Sequence, residues 1–405
     1  ATTGAGGWPM SVFLTPDLKP FYGGTYFPPT ARWGRPGFAE ILQQLATLWN
    51  KTPEKVLKNA AEILKQLRET TTSESSDRAP VAGVDAVTQG VDTFIAAYDR
   101  RNGGFGGAPK FPRPTELTFL LDAWALTHRH EPRQIVVDTL RSMALGGIHD
   151  HLGGGFHRYS VDAEWRVPHF EKMLYDQAQL VLAYLAAGQA SGEPFYSSVA
   201  EDTLDYVLAD MTADDGAFWS AEDADSVVPG GTEKREGAFY VFTAAEIDAL
   251  FGPDAPIVRR RLGIEDAGNA PSDPHNEFRG QNIPYVAQSV EEIAPRSGRS
   301  EADVLRVLAQ MRQRMFEARS TRPRPHLDDK VITAWNGLMI AGFARAGRVL
   351  TASPRRDEWT QAAVRAAESV QRTLWRPDEQ RLLRRYRDGE AAVDAFCEDY
   401  ACLVW

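Results

Sequence analysis

Hydrophobic and polar positions change period twice along this chain. Residues 10–27, MSVFLTPDLKPFYGGTYF, form two β-rich runs parted by Pro16-Asp17 and closed by Gly23-Gly24 and Pro28-Pro29, which predicts a β-hairpin. The period then becomes 3.6. Phe38, Ile41, Leu42, Leu45 and Leu48 share one helical face, and Val56, Ala60, Ile63, Leu64 and Leu67 share another. Residues 71–83 lack periodicity and are rich in Ser, Thr and charge, so they read as a linker between a small first domain (1–70) and a larger second one (84–405).

Beyond the linker the chain is mainly α and loosely repetitive. A loop rich in Gly, Pro, His or Asp feeds a strongly apolar helix three times: GGFGGAPKFPRP into ELTFLLDAWAL, HFEK into MLYDQAQLVLAYL, and HLDDK into VITAWNGLMIAGF. The segment 395–405 begins a further copy. The lysines that close these loops, Lys110, Lys172 and Lys330, set a spacing suited to helical hairpins. The long interval before Lys330 leaves room for two hairpins plus an insertion over 214–295, where GAFYVFT reads as a short strand. Helices apolar all round must be covered on every side, whereas those with one apolar face lie outside. Alternation of the two kinds points to an incomplete α/α toroid of about five hairpins with a central funnel, its rival being an α-solenoid.

Composition narrows the classes. Of 405 residues 43% are hydrophobic and 25% charged, with a net charge of −10, as in a globular protein with a core. No apolar run reaches the ~18 residues of a membrane span. The acidic balance and the lack of a basic block predict neither nucleic acid nor membrane as partner. Cys397 and Cys402 are five apart, which fits neither a redox dithiol nor a zinc knuckle, and they read as packing thiols. This usage fits a reducing, cytoplasmic setting. The start at Ala1 and the end inside an apparent helix read as a fragment open at both ends.

Candidate chemistry gathers in the loops. His149, His151, His157 and His169 are four of eight histidines and lie within 21 residues, among Asp150, Asp162, Glu164 and Glu171. Such density fits metal binding, general acid–base work, or loop histidines bonded to carbonyls; zinc sites usually show a tighter ligand set, so no metal is assigned. Gly153-Gly154-Gly155 lacks the strand and helix of a dinucleotide fingerprint, so no nucleotide cofactor, and none of any other kind, is expected. The catalytic candidates are His169, Glu171, His157, Asp329 and Asp150. The histidines titrate near neutrality, and carboxylates at helix starts are favoured by the dipole. Arg158, Trp165, Glu222, Asp225, Trp335 and Asn336 are the substrate-binding candidates. For the tryptophans and Phe105, stacking on a sugar ring competes with the plainer role of core packing. The segments 149–171, 222–225 and 328–336 are expected to meet around one cavity.

The motifs GGWPMSVFLTPDLKPFYGGTYFPP, GGFGGAPKFPRP, GGIHDHLGGGFHRYSVDAEWRVPHFEKMLYDQAQL, SAEDADS, EGAFYVFT and HLDDKVITAWNGLMI together resemble the spermatogenesis-associated protein 20 family. The resemblance implies a thioredoxin-like domain followed by an α/α toroid similar to those of N-acylglucosamine 2-epimerases and six-hairpin glycosidases. It also implies a cis Pro9, a Cys-x-x-Cys-type segment upstream of Ala1, and further chain beyond Trp405. Three functions follow as expectations. The first is a carbohydrate-active enzyme, a sugar 2-epimerase with two histidines such as His157 and His169 or a glycosidase with two carboxylates, acting on a small sugar in the funnel. The others are a thiol redox protein whose dithiol lies upstream, and a non-catalytic scaffold. The oligomeric state is not specified by the sequence.

Overall fold

The computed structural model describes residues 10–32, 34, 36–71, 83–270 and 278–405. Trp8-Pro9, expected to be cis, lies outside the described residues. The chain divides into two compact units after Gly83.

In the first unit, β1 (Ser11–Leu14) and β2 (Pro20–Gly24) pair antiparallel, with Phe13 opposite Tyr22. The turn is held by Thr15, whose hydroxyl donates to Asp17 at 2.6 Å and accepts from the Lys19 amide at 3.0 Å. Two amphipathic helices follow, α1 (Phe38–Lys51) and α2 (Pro53–Thr71), and α2 packs on β2. Ile41, Val56 and Ala60 form the buried centre, which are positions the 3.6 period selects.

The second unit is a two-layer helical array. Its helices begin with α3 (Val84–Ala97), α4 (Pro114–Thr127), α5 (His130–Leu145), α6 (Leu174–Ser191) and α7 (Pro194–Asp210). An inserted region supplies α8 (Ala244–Phe251), α9 (Ala255–Leu262), α10 (Val290–Ser297) and α11 (Glu301–Ser320). The array then resumes with α12 (Thr333–Val349), α13 (Arg356–Leu374) and α14 (Cys397–Val404). Helix α6 packs on both α4 and α12, and α12 packs on α14, so these four form the inner layer in that order. Helices α5, α7 and α13 each pack against an inner helix and lie outside. This alternation of inner and outer helices is the α/α toroid arrangement. Helix α6 buries residues all round, from Leu174 to Ala187, as its lack of a polar face requires.

Two expectations about the interval before Lys330 need correction. It holds one hairpin, α6–α7, and not two; the rest is the insertion, which extends past Pro295 to take in α10 and α11. Helices α8–α11 bury Ile247, Val258, Ile293, Val304 and Met315 in a core of their own. GAFYVFT is a turn and not a strand: Gly237 sits at φ +70, and Tyr240 N–H donates back to Gly237 O at 2.8 Å. A side chain at Gly237 would meet the Phe170 ring at 2.5 Å, so only glycine fits.

Short strands precede two inner helices and tie distant loops together. Lys172–Met173 pairs with Ala221–Glu222, which pairs with Leu327–Asp328, all antiparallel. Inner helices α6 and α12 are then anchored by the same device. Four residues in, the Gln177 amide receives Phe156 N–H at 2.8 Å and donates to Phe156 O at 2.7 Å. The Asn336 amide does the same with Phe218, at 2.8 and 3.0 Å. Each closes a two-point clamp on an extended backbone and bonds its own preceding helical turn as well.

Candidate functional site

The three chemistry-bearing segments, 149–171, 222–225 and 328–336, meet through that three-stranded sheet although they are far apart in sequence. Their side chains do not all share one cavity. Glu171, just before the strand, pairs with Arg158 and His169, whereas Lys172, its first residue, pairs with Asp150.

On one face lies a titratable cluster at the start of α6. His169 Nδ1 is 2.7 Å from Glu236 Oε1, and its Nε2 is 3.7 Å from Glu171 Oε2. Arg158 donates to Glu171 Oε2 at 2.7 Å. Backbone pairing of Tyr159 with His169 stacks their rings at 4.9 Å and 22°. Burial alone would lower the His169 pKa, but the carboxylates of Glu171 and Glu236 outweigh it and raise it to about 9. The sequence-based expectation of a histidine titrating near neutrality is therefore corrected: two acidic partners hold it protonated. Hydrogen bonding from His169 in turn keeps Glu171 below its ordinary range.

Asp176, which the sequence reading missed, completes the cluster. It lies in the first turn of α6, where a dipole argument predicts an ionised carboxylate. It is instead almost wholly buried, its Oδ2 has no hydrogen-bond partner, and burial raises its pKa to about 8. Arg158 pulls that value down and Glu171 pushes it up, so the two carboxyls sense each other. A single charged residue in the helix start MLYDQAQL was the available signal. Glu236 gave none, because it comes from the insertion and reaches His169 only through the fold.

A cavity of about 510 Å³ lies between the inner helices, and none of the cluster's charged residues lines it. Gln179, Leu182 and Ala186 of α6 line it, with Thr118 and Asp122 of α4 and Leu338 and Arg345 of α12. Tyr175 and Trp335 stand on the same helical faces one turn nearer the helix starts, edge to face at 4.9 Å. Trp335 is half-buried against the hydrophobic core and is not part of the cavity's lining.

The other proposed residues sit elsewhere. Trp165 is fully buried, donates from Nε1 to Asn102 O at 3.1 Å and packs on Gly104, so it is core and not a sugar platform; Phe105 is core too. Asn336 is fully buried in its backbone clamp and has no group left for a substrate. His157 is buried between Phe170 and Tyr240, with Nδ1 2.9 Å from Phe170 O. Burial, reinforced by Lys172, lowers its pKa well below the usual value, so it does not serve as an exposed base. Asp150 is buried behind the sheet between Lys172 (2.9 Å) and Arg319 (2.7 Å); burial would raise its pKa, but those cations hold it well below the carboxylate range. Glu222 lies on that same side, accepting from the Tyr206 hydroxyl at 2.6 Å and from Arg324 at 2.7 Å. Asp329 is paired with Arg387 at 2.7 Å. Asp225 is half-buried, and burial together with Asp223 and Glu236 raises its pKa. Among the described residues no cluster of His, Cys, Asp and Glu has metal-holding geometry. No described helix is long and apolar enough to cross a membrane.

The architecture defines the class: a partial thioredoxin-like α/β segment joined to an α/α toroid. A family model of the thioredoxin-like DsbH type, described as "Protein of unknown function, DUF255", matches residues 1–68. Spermatogenesis-associated protein 20 from Homo sapiens is 40% identical over all of this chain and 54% of its own length, and that from Mus musculus is 39% identical over the same shares. Over its whole length the chain is similar to spermatogenesis-associated protein 20, and it spans about half the length of the curated relatives it matches. Among solved structures, a cellobiose 2-epimerase from Bacillus thermoamylovorans B4167 is 13% identical, with a TM-score of 0.32 over 79% of this chain and 97% of that one. A D-mannose isomerase is 12% identical, with a TM-score of 0.31 over 81% of this chain and 98% of that one. Likenesses of this size carry no information about chemistry.

Proposed function

We propose that the toroid is a carbohydrate-active enzyme domain working by two-carboxyl acid–base chemistry, with Asp176 as proton donor and Glu171 as its ionised partner. The observation that carries this reading is the opposite displacement of these two groups: Asp176 raised to about 8 by burial, Glu171 lowered by His169 and Arg158. Pairs of titratable groups driven apart by their surroundings mark acid and base roles. The cavity of about 510 Å³ between the inner helices falls within the range of small-molecule sites, and the Tyr175–Trp335 pair, one helical turn from its lining, offers an aromatic surface for a sugar ring. His169 and Arg158 supply two cations beside Glu171 that orient substrate oxygens and keep Glu171 charged.

The test uses the full-length protein with a panel of aryl glycosides and reducing disaccharides followed by ¹H NMR in D₂O. Release of a new reducing end, lowered about 10²- to 10⁴-fold by Asp176→Asn and by Glu171→Gln, supports the reading. Exchange of the C2 proton without cleavage assigns epimerisation instead. Turnover that both variants retain removes the two carboxyls from the chemistry.

A further inference from the structure

Phe111, Tyr159 and His169 form one row of rings that ends at the titratable cluster. Tyr159 pairs with His169 on one flank, and the antiparallel bridge of Lys110 to Ser160 sets Phe111 opposite Tyr159 on the other. Side chains opposite one another across antiparallel strands share a face, and the rings follow in that order. Phe111 lies 4.8 Å from Tyr159 at 31°, and Tyr159 lies 4.9 Å from His169 at 22°. At the inner end His169 Nε2 is 3.7 Å from Glu171. We propose that Phe111 and Tyr159 are a sugar-binding platform beside the cluster, so that the ligand is a neutral saccharide chain of two or more units and not a single sugar. This inference rests on the acid–base reading for which unit meets Glu171, but not for the binding itself.

Exposure and rigidity carry the argument. Phe111 is 46% exposed, yet the backbone around it is firmly held. Lys110 and Ser160 exchange two backbone hydrogen bonds, at 2.8 and 2.9 Å. The Lys110 side chain is buried on Asp99, Gly103 O and Ala163 O, and Pro112 is buried as well. An aromatic ring is thus held out to solvent between two buried anchors. A lone exposed apolar residue needs no explanation, but this one continues a row that reaches a charged cluster. Tyr159 covers one face of the Phe111 ring, which leaves the other face and the edge for the C–H groups of a pyranose. A ring already fixed by its backbone loses little freedom when a ligand packs on it.

Length and charge narrow the ligand. Two ring spacings separate Phe111 from His169, more than one pyranose spans, so the unit on Phe111 and the unit at Glu171 are different units of one chain. Around the inner end Arg158, His169 and Lys234 stand against Glu171, Glu236, Asp223 and Asp225, so no surplus positive charge calls for an acidic sugar.

Calorimetry and saturation-transfer ¹H NMR on the full-length protein test this with glucose, mannose and galactose and their β-1,4-linked di- to tetrasaccharides. In at least one series the disaccharide or a longer chain is expected to bind about threefold or more tighter than the monosaccharide. Phe111→Ala, at an exposed position, is expected to remove that gain, and Phe111→Trp, which keeps a ring there, to retain it. The 6-carboxy analogue of the best disaccharide is expected to bind less well. The proposal is overturned if no saccharide binds, if affinity does not rise with chain length, if Phe111→Ala keeps the gain, or if the acidic analogue binds more tightly. A Phe111-dependent gain in a protein whose turnover survives Asp176→Asn leaves the platform standing and removes only the acid–base assignment. Turnover lost in Asp176→Asn without any Phe111-dependent gain overturns the platform alone.

Discussion

Replacing Asp176 by Asn separates stability from chemistry in a way that depends on pH. The folded protein holds the Asp176 proton until about pH 8, whereas the unfolded chain releases it near 3.8. Between those values the folded state binds more protons than the unfolded one, so this residue makes stability fall as pH rises, with no further loss above about 8. At pH 7 the gap is roughly three pKa units, or about 4 kcal/mol of destabilisation, taken as an upper figure. Asparagine has nearly the same shape and no proton to lose. Its amide adds a cost for any buried donor left unpaired, about 1–3 kcal/mol, but that cost does not vary with pH. The stability difference between Asp176→Asn and the parent should therefore move in favour of the variant by a few kcal/mol between pH 4.5 and 7.5, while catalysis is lost. Urea unfolding at four or five pH values measures it. Parallel stability curves for the two proteins would show that Asp176 ionises normally and would refute its role as proton donor.

The His169 ring should stay protonated to about pH 9 by NMR titration, and its contribution to stability, complete below 6.5, should vanish as pH rises through 9; a midpoint near 6.5 would contradict the clamp between Glu171 and Glu236. Lys172→Met leaves Asp150 buried with Arg319 alone and should destabilise the toroid by about 3–5 kcal/mol in urea unfolding, and a loss under about 1 kcal/mol would mean the network behind the sheet is wet and screened. Gly337→Ala places a methyl carbon 2.5 Å from Cys402 O, where α12 meets α14, and should cost about 1–3 kcal/mol; unchanged stability would show that α14 is only loosely docked.

The helical framework was legible because burial imposes period. The apolar stripes of α1 and α2 and the mostly apolar α6 and α12 require the partners they have. The lysines that closed the repeated loops were legible as a pattern but not as a role. Lys110 is buried, donating to Asp99, Gly103 O and Ala163 O at 2.6 to 2.9 Å, and Lys172 is buried in the same manner, so at these two positions the repeat records loop anchoring. Lys330 is one-third exposed and paired with Asp328. Site residues were harder to read because residue type does not reveal depth. Trp165 and Asn336 look like a platform and a ligand group in one dimension, and both are consumed by backbone contacts. Asp176 looks like an ordinary helix-start carboxylate until its burial is known.

Alternation along one short strand explains why the polar loops divide as they do. Lys172 and Met173 form the strand that leads into α6, so their side chains take opposite faces of the sheet, and Glu171 precedes it. The register places Lys172 opposite Glu222, and both turn to a cavity behind the sheet, where Asp150 and Arg319 balance them. Glu171 turns to the other side, toward Arg158 and His169. A one-residue slip would exchange the faces, leaving Lys172 unpaired at the funnel mouth and Glu171 buried against Asp150. The clamp of Gln177 on Phe156 opposes such a slip, since it fixes α6 to the strand-bearing loop at two points. Gln177→Ala should therefore loosen the funnel-side cluster and the buried network together, read as a lowered His169 pKa and faster amide exchange at Lys172. If only one of the two responds, the sheet does not couple the two networks and each is held by its own contacts.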